Sequence, residues 1–118
     1  MSEKFERDLM RGSLDLMVLS VLAEGPGYGY SIQKSLVAAS LGKVKLPAGT
    51  LYPLLHRLES EKLIKSKWDT STGRKRKWYE LTARGRKRLK VQVSQWQQYA
   101  ECMNNLLGTL TSPKPAGQ

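Results

Sequence analysis

The sequence has few of the side chains on which catalysis, metal binding and covalent cross-linking depend. It holds a single cysteine, Cys102, and a single histidine, His56, so neither an intrachain disulfide nor a zinc site can be built from it. Its ten acidic residues are scattered, and no nucleophile with a base, carboxylate pair or glycine-rich phosphate loop can be assembled. We therefore expect a protein that is not an enzyme and uses no cofactor or metal.

Long apolar runs and a secretion signal are also missing. The apolar stretch from Leu14 to Leu22 is interrupted by Asp15 and Ser20, and it is shorter than the roughly 18 residues that a membrane span requires. The N-terminus shows no signal-peptide pattern. These absences predict a cytoplasmic protein without a membrane partner.

Positive charge is in excess, and it is unevenly placed. The formal net charge is +10, and residues 74–90 carry nine basic side chains against one acidic side chain. Residues 1–24, in contrast, carry three basic and five acidic side chains. Such clustering favours a polyanion as partner, because solubility alone does not require it. The alternative is a cationic face that is only solvated.

Three helices are predicted in the first half of the chain. Apolar residues are dense from 6 to 24, and Tyr28 begins a second amphipathic helix over residues 28–40. A third helix is expected to start near Thr50, with Thr50 or Gly49 as its N-cap and Pro53 in its first turn. Its buried stripe has the i, i+3, i+4, i+7 spacing and comprises Leu51, Leu54, Leu55 and Leu58.

A hairpin with a cationic tip is predicted after the third helix. Residues 64–68 and 77–81 are strand-like in their aromatic content and alternation, and the residues between them include turn formers such as Gly73. Because an isolated hairpin is barely stable in water, Ile64, Tyr79 and Leu81 should pack on the helical core. Helices followed by such a hairpin form the layout of a winged helix-turn-helix, a fold that is mainly α and binds DNA.

The last predicted helix covers residues 83–110, with Thr82 as its N-cap. Apolar residues recur along it at steps of four and three, which is the pattern of a coiled-coil seam. Because no other predicted helix in so small a chain is long enough to cover the seam, its expected partner is a second copy. The seam comprises Leu89, Val93, Trp96, Ala100, Met103, Leu107 and Leu110.

The predicted organisation therefore has three parts. Residues 1–82 form the DNA-binding domain, residues 83–110 form the dimerisation helix, and residues 111–118 form a tail whose composition is typical of disorder.

Several motifs in this order resemble the PadR family of bacterial transcriptional regulators. The most specific are Tyr28-Gly29-Tyr30 and Gly49-Thr50-Leu51-Tyr52-Pro53, and residues 9–19, 73–79 and 81–85 are similar as well. The resemblance implies a winged helix-turn-helix homodimer of the short subclass, which usually acts as a repressor. It also implies that planar aromatic or drug-like effectors bind between the subunits near a tryptophan of the last helix, for which Trp96 is the matching residue.

DNA contacts are expected from the exposed face of the third helix, the start of the second helix and the tip of the hairpin. Two alternatives stay open: Tyr52 is a packing residue and Thr50 only a cap, or Arg57 pairs with Glu61 instead of DNA. The expected set comprises Tyr30, Ser31, Lys34, Ala48, Gly49, Thr50, Tyr52, Arg57, Gly73, Arg74, Lys75 and Arg76.

An effector site is expected where two copies of Trp96 face each other, with Asp15, Leu16, Val93 and Ala100 as candidate walls. The alternative is a tryptophan that fills the dimer core. The sequence thus predicts a repressor that binds a pseudo-palindromic operator on double-stranded DNA as a homodimer and is released by a small aromatic effector. The competing hypotheses are a winged-helix protein-protein interaction module and a non-specific nucleic-acid-binding protein.

Overall fold

The computed structural model describes residues 3–111, and it describes side chains from residue 12 to residue 110. The predicted fold class is confirmed over this range, because a small antiparallel sheet is set among four helices. The tail predicted to be disordered lies, apart from Thr111, outside the described residues. The elements are α1 (Glu3–Glu24), β1 (Gly27–Tyr28), α2 (Gly29–Ala39), α3 (Ala48–Ser60), β2 (Ile64–Asp69), β3 (Arg76–Leu81) and α4 (Ala83–Thr111).

The hairpin formed by β2 and β3 is the wing of the fold, and it belongs to a three-stranded sheet in the order β1-β3-β2. Ile64 pairs with Leu81 at its base and Asp69 with Arg76 at its tip. In the turn between the strands, Gly73 has a φ of +80°, a conformation that glycine adopts at no steric cost. Strand β1 was not predicted, because two residues are too few to show an alternation.

The hydrophobic core lies where α1, α2, α3 and the base of the wing meet. The predicted stripe of α3 is buried, and Ile64, Tyr79 and Leu81 pack on the helices as expected. Since burying a leucine side chain contributes about 2 kcal/mol, this cluster is the main source of stability in the domain. Its members are Val18, Leu19, Leu22, Ile32, Leu36, Leu51, Leu54, Leu55, Leu58, Leu63, Ile64, Tyr79 and Leu81.

The start of α3 differs from the prediction. Its N-cap is Pro47, which makes no side-chain capping bond, and the backbone N–H of Thr50 donates to the Pro47 carbonyl oxygen at 2.9 Å. The expectation that Thr50 or Gly49 caps the helix is therefore wrong. Pro53 lies in the second turn instead of the first. The helix continues past it, and the Gly49 carbonyl, which residue 53 cannot donate to, lies on the exposed face where water can hydrate it.

The start of α4 agrees with the prediction. Thr82 Oγ1 accepts a hydrogen bond from the Gly85 N–H at 2.9 Å, which is the N-cap geometry. The same hydroxyl is within 2.8 Å of the Lys62 carbonyl oxygen, and the Thr82 N–H donates to the Leu63 carbonyl oxygen at 3.1 Å. These bonds fix the first turn of α4 against the segment that enters the wing.

Helix α4 has 29 residues and is packed against α1, which has 22 residues. Leu89 contacts the hydrophobic core of its own chain. Of the predicted seam, Leu89 is therefore covered within its own chain, whereas Val93, Trp96, Leu107 and Leu110 remain exposed. The longest dimension of the molecule is 66 Å.

Within residues 3–111, no helix combines the length and the apolar character that crossing a membrane requires.

Candidate DNA-binding surface

The N-terminal half of α3 presents a polar, uncharged face to solvent. Ala48, Gly49, Thr50 and Tyr52 are exposed there, on the side opposite the buried leucine stripe. The N–H groups of Ala48 and Gly49 have no acceptor within the helix, since a first turn leaves its N–H groups without carbonyl partners. These small residues allow close approach, and the free N–H groups and the Thr50 hydroxyl can donate to phosphate or base edges.

The Tyr52 side chain is partly packed and partly exposed, which is compatible with both roles that the sequence left open. It is 45% exposed, yet its ring lies against the start of α2, where a Cβ built on Gly29 would come within 2.4 Å of the Tyr52 hydroxyl oxygen. The absence of a side chain at Gly29 therefore leaves room for the Tyr52 ring, and part of the ring remains accessible to solvent. This arrangement holds the Tyr52 hydroxyl in a fixed position beside the N-terminus of α2.

The predicted phosphate contacts of α2 lie on one exposed surface. Tyr30 is 68% exposed, and the Lys34 ammonium lies 5.4 Å from the centroid of its ring. Ser31 is also exposed, and its hydroxyl donates to the Tyr28 carbonyl oxygen at 2.8 Å. The hydroxyl oxygen retains acceptor capacity only, so a phosphate contact by Ser31 would require its hydrogen to turn outward.

Arg57 is occupied by two carboxylates of its own chain. Its guanidinium forms ion pairs with Asp15 of α1 and, at 2.8 Å, with Glu61 at the end of α3. The hydrogen bond to Asp15 is the largest cause of the raised pKa of Arg57. The structure therefore favours the pairing with Glu61 that the sequence offered as the alternative to DNA contact, and it adds a second carboxylate from a residue 42 positions away.

The tip of the wing carries exposed cations at Arg74 and Lys75 next to Gly73. The Lys75 ammonium lies 4.5 Å from the centroid of the Trp68 ring, and Trp68 is 56% exposed. Sequence reasoning missed Trp68 as a surface residue and treated it only as a strand former. Trp68 lies on the same face of β2 as Ile64 and Ser66, but farther from the base of the wing, where the core no longer covers it. This position in the strand is the sequence signal that could have predicted its exposure.

A groove separates α3 from the wing. Lys77 forms an ion pair with Glu59 across it at 3.6 Å, and Ser66 donates a hydrogen bond to the same carboxylate. Burial raises the pKa of Tyr79 at its floor. The groove thus has aromatic walls and a Lys77–Glu59 ion pair between the two elements expected to touch DNA. It is lined by Tyr52, His56, Glu59, Trp68, Lys77 and Tyr79.

Arg76 and Tyr28 hold the wing to β1. The Arg76 guanidinium stacks 3.9 Å from the centroid of the Tyr28 ring, and the Trp78 ring meets Tyr28 edge-on at 4.9 Å. The Tyr28 hydroxyl donates a hydrogen bond to Asp69, which lowers the pKa of that carboxyl to about 2. Arg76 therefore has an internal role in addition to the DNA contact predicted for it.

A second groove lies between α1 and α4. It brings together Leu16 and Trp96, two of the residues expected to bind an effector, whereas the Asp15 carboxylate turns to Arg57 and neither Val93 nor Ala100 lines the groove. Within the described residues, the Gln92 side-chain oxygen is buried and has no hydrogen-bond partner. The lining residues are Gly12, Ser13, Leu16, Gln92, Gln95, Trp96 and Tyr99.

Apolar side chains are exposed along the remainder of α4. Four residues of the predicted seam are exposed, namely Val93 (37%), Trp96 (52%), Leu107 (38%) and Leu110 (81%), and Ala100 and Met103 are half-buried. Leu89, as described above, contacts the core of its own chain. The exposed line therefore begins at Val93, four residues later than the predicted seam.

Comparison with sequence models of protein families identifies one family. The sequence model of the "Transcriptional regulator PadR-like family" matches residues 18–91. An uncharacterized protein of Lysinibacillus sphaericus is 32% identical over 98 residues, which cover 82% of this chain and 90% of that protein. The transcriptional regulator Rv3488 of Mycobacterium tuberculosis is 34% identical over 80 residues, covering 68% of this chain and 72% of that protein.

The same likeness is found among solved structures. The PadR family transcriptional regulator of Eggerthella lenta is 38% identical and superimposes with a TM-score of 0.74, covering 88% of this chain and 89% of that chain. The overall path of the helices and of the wing is thus shared with an experimentally determined regulator.

Proposed function

This chain belongs to the PadR-like family of transcriptional regulators, and on that premise we propose that it is a homodimeric repressor released from its operator by a small aromatic ligand. DNA binding is the common property of the family. The observation that carries the finer proposal is the coexistence, in one small chain, of an uncharged helix face, a cationic wing and an apolar line on α4.

The proposed DNA interface places the N-terminal half of α3 in the major groove and the wing on the flanking backbone. The proposed interface leaves out Arg57, because its guanidinium is paired with two carboxylates. It includes Trp68, whose exposed ring can pack on sugar and base edges beside Lys75. If each subunit neutralises about four phosphates, the logarithm of the affinity should fall with the logarithm of salt with a slope of about −7 for a dimer. The proposed contacts are Tyr30, Ser31, Lys34, Ala48, Gly49, Thr50, Tyr52, Trp68, Gly73, Arg74, Lys75 and Arg76.

Two copies are proposed to pair through the exposed line of α4. Trp96 and Leu110 lie about 21 Å apart along the helix at 1.5 Å per residue, so the line is long enough for a two-helix contact. Two-fold pairing presents two α3 helices to one face of DNA, and half-sites about 34 Å apart then form a pseudo-palindrome.

The groove between α1 and α4 is the proposed ligand site. Leu16 and the Trp96 ring supply apolar contacts for a flat aromatic molecule. The unpaired Gln92 oxygen calls for a donor, because a buried acceptor without a partner costs about 1 to 3 kcal/mol. The expected ligand is therefore a planar aromatic compound that carries a hydroxyl or N–H group. Its binding would weaken the protein–DNA complex by a coupling of about 1 to 3 kcal/mol.

The test of regulator function is a titration of the full chain against the promoter DNA upstream of its own gene and a scrambled duplex of equal composition, in about 0.15 M salt. We expect the promoter fragment to bind at least about 1,000-fold more tightly. Equal affinity for both duplexes would favour a non-specific nucleic-acid-binding protein, and absence of binding to either would favour a protein-protein interaction module.

A further inference from the structure

Helix α1 stands between the ligand groove and α3. One turn of α1 supplies residues to both sides: Leu16 lines the groove with Trp96, and the neighbouring Asp15 carboxylate is paired with Arg57 of α3. A shift of this turn caused by a molecule in the groove therefore acts on the carboxylate that holds Arg57.

The Asp15–Arg57 pair is suited to transmit such a shift. The side chains of Asp15 and Arg57 are only 15% and 27% exposed, so the pair is screened less by salt than a surface pair. The partner on the other side of Arg57, Glu61, is the C-cap of the same helix. The bond to Glu61 therefore moves with α3, whereas the bond to Asp15 joins α3 to a different element.

Arg57 lies in the same helix as residues proposed to contact DNA. Arg57 lies five residues after Tyr52 and seven after Thr50, within one continuous helix. Since a helix moves as a rigid body over two turns, a displacement at Arg57 changes the pose of the face presented to DNA.

We propose that the Asp15–Arg57 ion pair is the connection through which a ligand beside Trp96 changes the pose of α3 and so weakens DNA binding. The inference rests on the proposed function of the groove and deepens it by naming the residues that couple the two sites. Asp15 does not line the groove, so it acts as a positioning residue and not as a ligand contact.

The test compares Asp15→Asn with a matched control, Glu61→Gln. The control removes the other carboxylate that pairs with Arg57 but keeps the ion pair between α1 and α3. Ligand affinity is measured by calorimetry with neutral two-ring aromatic alcohols, with 2-naphthol as the first probe. Promoter affinity is then measured with and without that probe. In the wild type the probe should lower promoter affinity roughly 5- to 150-fold.

Asp15→Asn should bind the probe as the wild type does, but the probe should lower its promoter affinity by no more than about twofold. Glu61→Gln should keep the wild-type response. Arg57→Gln and the double variant Asp15→Asn/Arg57→Gln should lose the response to the same extent as Asp15→Asn, because each of them removes the Asp15–Arg57 pair and the bond to Glu61 does not contribute to the response.

Two results would overturn the link alone: a wild-type response in Asp15→Asn, or an equal loss in Glu61→Gln, which would indicate general loosening of α3. A wild type that does not bind the probes, or binds them without losing promoter affinity, would remove the ligand-release function and the link with it. Thermal unfolding of every variant identifies any that fails to fold.

Discussion

Tyr28 shows how a single hydroxyl can hold the wing in place. Replacing Tyr28 with Phe keeps the ring that Arg76 and Trp78 contact and removes the donor to Asp69. The Asp69 pKa should then rise from about 2 toward the ordinary value of 3.8, as measured by an NMR titration of the carboxyl group. An Asp69 pKa that stays near 2 in Tyr28→Phe would show that another group lowers it.

The sign of the pH dependence follows from that shift. Because the folded state lowers the Asp69 pKa, the interaction stabilises the protein above pH 3.8 and is lost as the pH falls through about 2. The stability difference between wild type and Tyr28→Phe, measured by urea unfolding, should therefore be larger at neutral pH than near pH 2. A difference that does not change with pH would contradict this origin.

Replacement of the single residue Lys75 tests the proposed contact between the wing and DNA. Lys75→Ala should weaken binding to promoter and scrambled DNA alike and make the salt slope of a dimer less steep by about 2, since one phosphate contact is lost per subunit. Lys65→Ala is the control, because Lys65 lies at the base of the wing and pairs with Glu80 at 3.8 Å. Equal slopes for the two variants would mean that the cationic tip is only solvated.

What could be predicted from single residues depended on where their partners lie in the chain. The buried leucines of α3 and the cap at Thr82 follow from local spacing, and both are confirmed. The fate of Arg57 could not be predicted in full, because one of its partners is a neighbour at i+4 and the other, Asp15, is brought to it only by tertiary packing.

At the scale of elements, two glycines of α4 differ in what surrounds them. A Cβ on Gly85 would lie 2.0 Å from the Leu63 carbonyl oxygen, whereas a Cβ on Gly108 would meet nothing within 4 Å. Gly85→Ala should therefore destabilise the protein by about 3 kcal/mol, because backbone atoms have to move. Gly108→Ala should stabilise it by about 0.5 to 1 kcal/mol by reducing backbone entropy. The free energy of unfolding of both variants is measured by urea unfolding. A Gly85→Ala variant as stable as Gly108→Ala would contradict the close packing of α4 on the base of the wing.

The elements that periodicity describes were predicted, and those that depend on packing were not. Four helices and two wing strands were found, because each is long enough to show a repeat. Strand β1 exists only because Gly27 and Tyr28 meet Tyr79 and Trp78. The start of α3 was misplaced because a proline at the N-cap offers no side-chain signal. Of the seven residues that line the candidate ligand groove, the sequence named two, Leu16 and Trp96, and it did not name Gln92.

At the scale of the whole molecule, the exposed line on α4 should decide the oligomeric state. Placing a charge at two of its positions, Val93→Glu and Leu110→Glu, should separate the subunits, since a buried unpaired carboxylate is strongly unfavourable. Promoter affinity should then fall by about 100-fold, because two linked sites gain at least that much in avidity. Leu41→Glu is the control, because Leu41 is 89% exposed and lies in the loop after α2. The same promoter affinity in all variants would argue against cooperation between two subunits.

The most direct test is the mass of the protein in solution, measured by sedimentation at micromolar concentration with and without promoter DNA. A pair of chains joined through α4 should sediment at twice the 13.3 kDa of one chain, and two chains should bind each promoter duplex. A single 13.3 kDa species that binds promoter fragments one chain at a time, or not at all, would contradict the account.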